Sequence, residues 1–449
     1  MTKTMASWST HPVGRRARSA GRAVALFAGV GLAALPAPAA AATAQRMESI
    51  APAGIDSFYR ARAGQPLWLA PGNADAVNAL IALFDSAPLD GIDPAPLNLK
   101  QLKKALRSAD GNSAAAMRAE TMLSDAFVRY VRALRSVDPA TAGWQINDPE
   151  LNPRAPSAIA ILDAAAAAPS LATYIERMGF MHASYAGLRE ALAGAEQRGN
   201  LHEIAVLRAN LLRTRVLPGS DVHRYILVNT AAQRLYMVED GKVVDWMKVV
   251  VGKPAQQTPM MAAMIRYTAV NPYWNVPSDL AAERIAPNVV KQGPSYLASK
   301  GYRVLSDWRD DATRIDPTTI DWQKVASGEV QLRMRQDPGP DNAMGRMKFM
   351  FPNPAGVYLH DTPNKELLGE DTRLFSGGCV RLEAAPRLAE WLYGHALKWQ
   401  GAKPEQTFDL AQPVPVYLAY LTAVPQSGAV VYFDDVYKRD RTALALASR

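Results

Sequence analysis

The sequence predicts an α+β protein in two parts: an N-terminal helical domain and a β-rich C-terminal domain interrupted by a helical insert. Three observations carry this. Apolar residues recur at helical spacing up to about residue 218. From His223 the pattern turns to β-branched and aromatic runs. Between Ser278 and Gly301, "SDLAAERIAPNVVKQGPSYLASKG" returns to helical character.

The first 44 residues stand apart. "RRARSAGR" is a charged region, "AVALFAGVGLAAL" an apolar one, and "PAPAAAATA" offers small residues for cleavage after Ala42 or Ala44. This order predicts a secretory signal peptide over 1–44. The apolar run is shorter than the roughly 20 residues a spanning helix needs, which disfavours the alternative of a retained anchor. The expected location is the periplasm. The net charge of +8 includes five basic residues from this stretch and no acid; without them it is +3. No dense basic run follows residue 50, so nucleic acid is not an expected partner.

The helical domain is expected over 47–218. In "AVNALIALFDSAPLDGIDP", Val77, Leu80, Ile81 and Phe84 mark one helix face, and the "LDGIDP" turn stops it. "AMRAETMLSDAFVRYVRALRS", Ala116 to Ser136, places Met122, Leu123, Ala126, Phe127, Tyr130 and Leu134 on one side of a second helix. "IAILDAAAAAPSLATYIERM" and "YAGLREALAGAEQRG" predict two more. "EIAVLRANLLRTRVLPG" predicts a last one, closed by Pro218-Gly219. This region contains no His/Cys/Asp/Glu cluster of catalytic character, so a structural or docking role is expected of it.

The β-rich domain is expected over 220–425, with a capping insert over 278–335 and a C-terminal extension over 426–449. Asp240-Gly241 between two β runs is a hairpin signal. "MIRYTAVNPYWNVP", "VQLRMRQDPG", "MKFMFPN", "GVYLHDTP", "PVPVYLAYLTAVP" and "AVVYFDDVY" read as further strands. The tail after Arg439 reads as a loose or weakly helical end.

The chain has one cysteine, Cys379, in "RLFSGGCVRLE". An exported chain with a single cysteine cannot close an internal disulfide, so the thiol is bridging, inert or reactive. Its surroundings favour reactivity. Gly377 and Gly378 bare the backbone just before the sulfur, where N–H groups serve an acyl-transfer oxyanion. "EAAPRLAEWLYGHAL" predicts a helix soon after it, expected to favour the thiolate. Arg381 supplies a fixed positive charge. Such a nucleophile needs a base. Of six histidines, His360 in "GVYLHDTP" fits best: alternation puts Val357 and Leu359 on one face, Tyr358 and His360 on the other.

"HDTP", then "SGGCVR" with Cys379 nineteen residues after His360, resembles the signature of the YkuD-type L,D-transpeptidases. "RYILVNTAAQRLYMVEDGKVV", "VVVGKPAQQTP", "NPYWNVPSDLA" and "QDPGPDNAMGRMKF" resemble the large two-domain branch of that family. "FYRARAGQPLWL" and "FVRYVRAL" resemble its N-terminal scaffold. The resemblance implies a β-sandwich-like catalytic domain with the cysteine on a short turn before a helix. It implies Cys379 as nucleophile, His360 as base, and the Asp361 carbonyl as the group orienting it. Gly378 and Cys379 N–H groups would form the oxyanion hole beside Gly377. Tyr358 and Ser376 would line the cleft, and Arg381 would hold motif or substrate.

The implied activity is cross-linking of peptidoglycan stem peptides through a cysteine thioester with release of D-Ala. Carbapenems are implied as covalent inhibitors and other cell-wall enzymes as partners. No metal or cofactor is implied. Alternatives on the same site are an L,D-carboxypeptidase or endopeptidase and a lipoprotein-anchoring transferase. An inactive wall-binding scaffold is a further one. A papain-like protease is disfavoured because its sequence context around the cysteine is missing. Two departures from the family pattern stand out. Gly377 occupies a place where many members carry a second His, and the peptidoglycan-binding module of large members has no room here.

Overall fold

Eight helices form the N-terminal part in the computed structural model, which describes residues 51–441 apart from 110, 111, 310 and 402. They are α1 (Ala51–Ala61), α2 (Ala74–Asp85), α3 (Leu99–Arg107), α4 (Ser113–Arg135), α5 (Ala158–Ala166), α6 (Leu171–Glu176), α7 (Tyr185–Arg198) and α8 (Leu201–Thr214). The expected signal peptide lies outside the described residues. α4 is the spine: Ala119, Leu123, Ala126, Phe127, Tyr130 and Leu134 are buried along one side. Its first turn is capped by Asn112, whose side chain accepts from Ala114 and Ala115 N–H at 3.1 and 3.0 Å. The run "IAILDAAAAAPSLATYIERM" is two helices rather than one. Pro169 cannot continue the first, and the Ser170 hydroxyl caps the second.

Two buried carboxylates tie the helices together. Glu120 on α4 accepts from the N–H groups of Leu67, Trp68 and Leu69 at 2.6, 2.9 and 2.8 Å, and from the Tyr59 hydroxyl at 2.7 Å. Asp90 accepts from the Tyr130 and Tyr185 hydroxyls at 2.6 and 3.0 Å and pairs with Arg189 at 2.9 Å. Every donor reaches a charge removed from water, which is what makes such burial tolerable.

One short strand of this region, β1 (Gln145–Ile146), leaves the helices and pairs in parallel with β5 (Met261–Val270) of the β domain. Helical periodicity could not predict it. Asp148 just beyond accepts from Met264 N–H at 2.6 Å and pairs with Arg266.

The β domain runs β2 (Arg224–Asn229), β3 (Arg234–Glu239), β4 (Lys242–Gly252) and β5 (Met261–Val270). The insert follows as β6 (Trp274–Val276), α9 (Ser278–Leu280), a π turn (Ala281–Ile285), α10 (Ala286–Gln292), α11 (Ser295–Ser299), β7 (Tyr302–Leu305), α12 (Trp322–Ala326) and β8 (Arg333–Gln336). Then come β9 (Met347–Met350), β10 (Leu359–His360), β11 (Leu374–Ser376), β12 (Val380–Leu382), α13 (Ala385–Tyr393) and β13 (Gln406–Ala419). A final hairpin joins β14 (Ala423–Gln426) and β15 (Ala429–Tyr432).

The main sheet runs β5-β13-β2-β3-β4-β12-β10-β9, and β9 pairs again with β5, closing a ring of eight strands. A sandwich-like pair of layers was expected; pairing of Tyr267–Val270 with Met350–Met347 joins the edges instead. Both faces of β2 and of the C-terminal end of β13, Val416–Ala419, are buried. Ile226, Val228, Val416 and Leu418 face the inner core with Leu388 and Leu392 of α13. Tyr225, Leu227, Tyr417 and Ala419 face a second core with Trp144 and Leu217. That second core welds the helical and β parts.

The insert is not purely helical. β6, β8 and β7 form their own antiparallel sheet, and Val276, Ile285, Val289, Leu297, Val304, Trp322 and Met334 form its own core. "MIRYTAVNPYWNVP" is therefore split between two sheets; Asn271, at φ 46°, makes the turn. Of the tail after Arg439 only Asp440 and Arg441 are described, and both are helical; the rest of that expected end lies outside the described residues. Asp440 is buried, pairs with Arg213 of α8 at 2.6 Å and accepts from the Thr422 hydroxyl.

Candidate active site

β10 and β12 lie side by side in parallel, with Leu359 opposite Val380 and His360 opposite Arg381. The Val380 N–H donates to the Tyr358 carbonyl at 3.0 Å, which extends the register back to Cys379. Side chains alternate along a strand. Val357, Leu359, Val380 and Leu382 fill the core. Tyr358, His360, Cys379 and Arg381 therefore share the opposite face. The pairing brings together residues that the sequence separates by nineteen positions.

His360 is held rigidly. Its Nδ1 lies 2.6 Å from the carbonyl oxygen of Asp361. As a donor to that carbonyl, Nδ1 carries the proton and Nε2 is left as the basic atom. Asp361 is itself fixed: its carboxylate accepts from Arg346 N–H at 2.9 Å and pairs with Lys365 at 2.6 Å. Gly345, at φ +59°, packs so close that a Cβ there would lie 2.6 Å from Asp361 Oδ2. Only glycine fits that turn.

The cysteine loop is pinned from both sides. Ser376 Oγ donates to the Cys379 carbonyl at 2.6 Å and accepts from Gly378 N–H at 3.1 Å. Thr258 Oγ1 donates to the Gly378 carbonyl at 2.8 Å and accepts from Gly252 N–H at 2.9 Å. Gly378 has φ +115°, a conformation that favours glycine. The expectation for its N–H changes accordingly. Turned inward to Ser376, it is not aimed at the cleft. Among the described residues the Cys379 N–H has no hydrogen-bond partner, and it is the available oxyanion donor of the two.

A second expectation also changes. β12 lies between Cys379 and α13, so the sulfur does not sit at a helix N-terminus. Burial pushes the Cys379 thiol up from its usual value, against the opposing pull of the Tyr358 N–H and the Arg381 charge. Burial, reinforced by Arg381, lowers His360 to about 4. The resting pair is thus a neutral thiol beside a neutral imidazole, not a preformed thiolate. The thiol meets two backbone groups, the Tyr358 N–H and, at 3.8 Å, the Gly356 carbonyl. Tyr358 is half-buried, and burial and the nearby sulfur raise its hydroxyl.

The insert reaches this loop. A Cβ on Gly377 would lie 3.4 Å from Leu280 Cδ2 and 3.3 Å from Gln256 Oε1. Lys253 pairs with Glu283 of the π turn at 2.5 Å. Sequence reading singled out neither Thr258 nor Lys253, Leu280, Glu283 or Lys365. "VVVGKPAQQTP" was the available signal for the first two, since its Gly and Pro residues mark a loop directly after β4.

Comparison with known proteins agrees with this architecture. Residues 223–416 match the L,D-transpeptidase catalytic domain model, YkuD, and residues 53–192 match the Scaffold domain model. A putative L,D-transpeptidase of Haemophilus influenzae is 34% identical over 243 residues, covering 52% of this chain and 48% of that protein. The chain thus spans about half the length of the curated relative it matches. Among solved structures, the Ldtfm–avibactam carbamoyl enzyme gives a TM-score of 0.21 at 14% identity, over 44% of this chain and 48% of that one. An L,D-transpeptidase from Mycobacterium smegmatis gives 0.21 at 15%, over 44% and 58%. Likenesses this slight do not bear on the fold. The two domain matches do: the chain carries an N-terminal Scaffold domain followed by a β-rich L,D-transpeptidase catalytic domain of the YkuD family.

Proposed function

We propose that the protein is a peptidoglycan L,D-transpeptidase with Cys379 as nucleophile and His360 as base. The observation that carries this is the shared face of β10 and β12, with the His360 tautomer fixed by the Asp361 carbonyl. Sγ of Cys379 attacks the carbonyl carbon of the amide after the third stem residue while its proton passes to His360 Nε2. The Cys379 N–H donates to the oxyanion that forms. On collapse the C–N bond breaks, the imidazolium returns its proton to the leaving amine of D-Ala, and a thioester remains. The side-chain amine of a third-position diaminoacid on another stem then attacks the thioester and gives its proton to His360. The new amide forms, and Sγ leaves and is reprotonated. A neutral resting thiol suits this coupled transfer, because no charge is buried until the substrate arrives.

Arg381 supplies a positive charge that acts on both His360 and Cys379 and, with half-buried Tyr358, forms the cleft wall in this reading. We place the enzyme outside the cytoplasmic membrane, in the periplasm, on the strength of the charged, apolar and small-residue order of residues 1–44.

Intact mass after incubation with a carbapenem tests the nucleophile. A covalent adduct on wild type, lost in Cys379→Ala and slowed in His360→Ala, is expected; a folded wild type that stays unmodified overturns the proposal. Muropeptide analysis tests the acceptor. Cross-linked dimers are expected. Shortened stems alone reassign the site to hydrolysis, and transfer only to a lipoprotein amine reassigns it to anchoring.

A further inference from the structure

Lys348 stands directly opposite His360. β9 and β10 are antiparallel, with His360 in register with Lys348 and Leu359 with Phe349. Residues opposed in this way point to the same face, their Cβ atoms about 5 Å apart. The Lys348 ammonium nevertheless turns to Glu405, with which it forms an ion pair, and it has no other partner among the described residues. We propose that Glu405 is a positioning residue of the catalytic site: it draws the Lys348 ammonium away from His360, and with the same carboxylate it fixes the stem of the insert. The proposal rests on the reading of His360 as the base.

Glu405 is built into its place. It directly precedes β13 and has φ 51°, a left-handed conformation that a side chain enters at a cost and keeps where its surroundings impose it. Its N–H donates to the Asn271 carbonyl at 2.9 Å, and Asn271 Nδ2 donates to the Gly401 carbonyl at 2.8 Å. Its Oε2 accepts from the Tyr273 N–H at 2.6 Å, while its Oε1 holds Lys348. Asn271 to Tyr273 is the segment by which the chain leaves β5 for the insert. Where the chain returns to β9, the Arg346 carbonyl accepts from the Asn271 N–H at 3.0 Å. One carboxylate thus joins the stem of the insert to the strand beside His360.

The charges around the base are distributed accordingly. Burial apart, those acting on His360 are Arg381 from β12, then Asp361 and Lys365. Tyr358 and Cys379 share its face as neutral groups. Burial first, then the sulfur, Tyr267 and Glu405 raise the Tyr358 hydroxyl, so the Glu405 carboxylate acts on the catalytic face. The Lys348 side chain is 12% exposed, which leaves little water to screen its charge once the partner is removed. Acylation makes His360 an imidazolium as it takes the thiol proton. A free ammonium on β9, added to Arg381 on β12, opposes that charge from a second side.

Two variants test this. Glu405→Gln loses the charge and keeps an oxygen for the Tyr273 N–H; Glu405→Gln/Lys348→Gln removes both charges. Acylation by a carbapenem at pH 7 is expected to slow about tenfold in the first and to recover in the second. The His360 imidazole is titrated by nitrogen NMR in an Arg381→Gln background, where loss of a repelling charge brings its titration to higher pH. It is expected to fall by about one pH unit on Glu405→Gln and to return on adding Lys348→Gln. An unchanged His360 titration in a folded Glu405→Gln protein overturns the proposal. So does slowed acylation that Lys348→Gln does not restore, which leaves Glu405 a structural role alone. A wild type that is never acylated, while the His360 shift appears, overturns the base assignment instead and leaves the charge relation standing.

Discussion

His360 Nδ1 lies 2.6 Å from the carbonyl oxygen of Asp361, the next residue in the chain. A main-chain acceptor here replaces the carboxylate that orients histidine in many other triads. The Asp361 carboxylate faces away, toward Arg346 N–H and Lys365. Asp361→Asn keeps the carbonyl and one acceptor. It is expected to slow acylation far less than His360→Ala, measured as the rate of adduct formation by mass spectrometry.

Burial and Arg381 together set the pH range of the site. Burial first, then Arg381, lowers His360 to about 4, while Asp361 opposes and Lys365 assists. The base is neutral above that value, so the acid limb of the acylation rate is expected near pH 4 rather than 6.5. Arg381→Gln removes a repelling charge, so His360 rises toward 6.5 and the limb moves to higher pH. The same change removes the charge that favours the thiolate, so the thiol rises further. A pH–rate profile of both proteins checks the two directions.

The loop glycines differ in what they tolerate. Gly378 sits at φ +115°, and Gly378→Ala is expected to cost about 1–3 kcal/mol and most of the activity. A methyl on Gly377 meets only the ends of the Gln256 and Leu280 side chains, at 3.3 Å or more. Gly377→Ala is expected to change stability by less than about 1 kcal/mol. Urea denaturation of both variants makes the comparison.

Thr258 joins β4 to the cysteine loop through two buried hydrogen bonds. Thr258→Val removes both and leaves a buried N–H and a carbonyl unpaired, at a cost of about 1–3 kcal/mol. Acylation is expected to fall by about tenfold or more, because the sulfur loses its fixed position. Denaturation and adduct kinetics report the two effects separately.

His182 and His360 are both buried and both lowered to about 4, His182 by burial and then by Arg135. The unfolded chain holds their protons up to about pH 6.5. Their stabilising contribution is therefore complete above 6.5 and is lost as pH falls toward 4. By pH 4.5 each takes away about 2–3 kcal/mol. His182→Asn removes one titration and leaves a side-chain acceptor for the Ser184 N–H, which His182 Nδ1 takes at 3.2 Å. Denaturant midpoints at pH 7 and 4.5 are expected to differ less in that variant.

The helices at α4, α7 and α8 were legible because their apolar period is local, and a window of a few turns contains all of it. Cys379, His360 and the alternation through Val357 to His360 were legible for the same reason: a strand states its two faces within four residues. What only the tertiary structure decided are relations between distant segments. Closure of the sheet depends on β5 meeting β9 some eighty residues later. β1 leaves a helical region because β5 offers it an edge. Gly378 N–H turns to Ser376, and Thr258 reaches Gly378, because a positive φ and a loop after β4 happen to converge. Asp440 becomes buried because α8 holds an arginine opposite it. Local pattern fixes which face of an element is apolar. Which elements meet, and which donors are spent inside the fold, is set by packing and hydrogen-bond satisfaction across the whole chain.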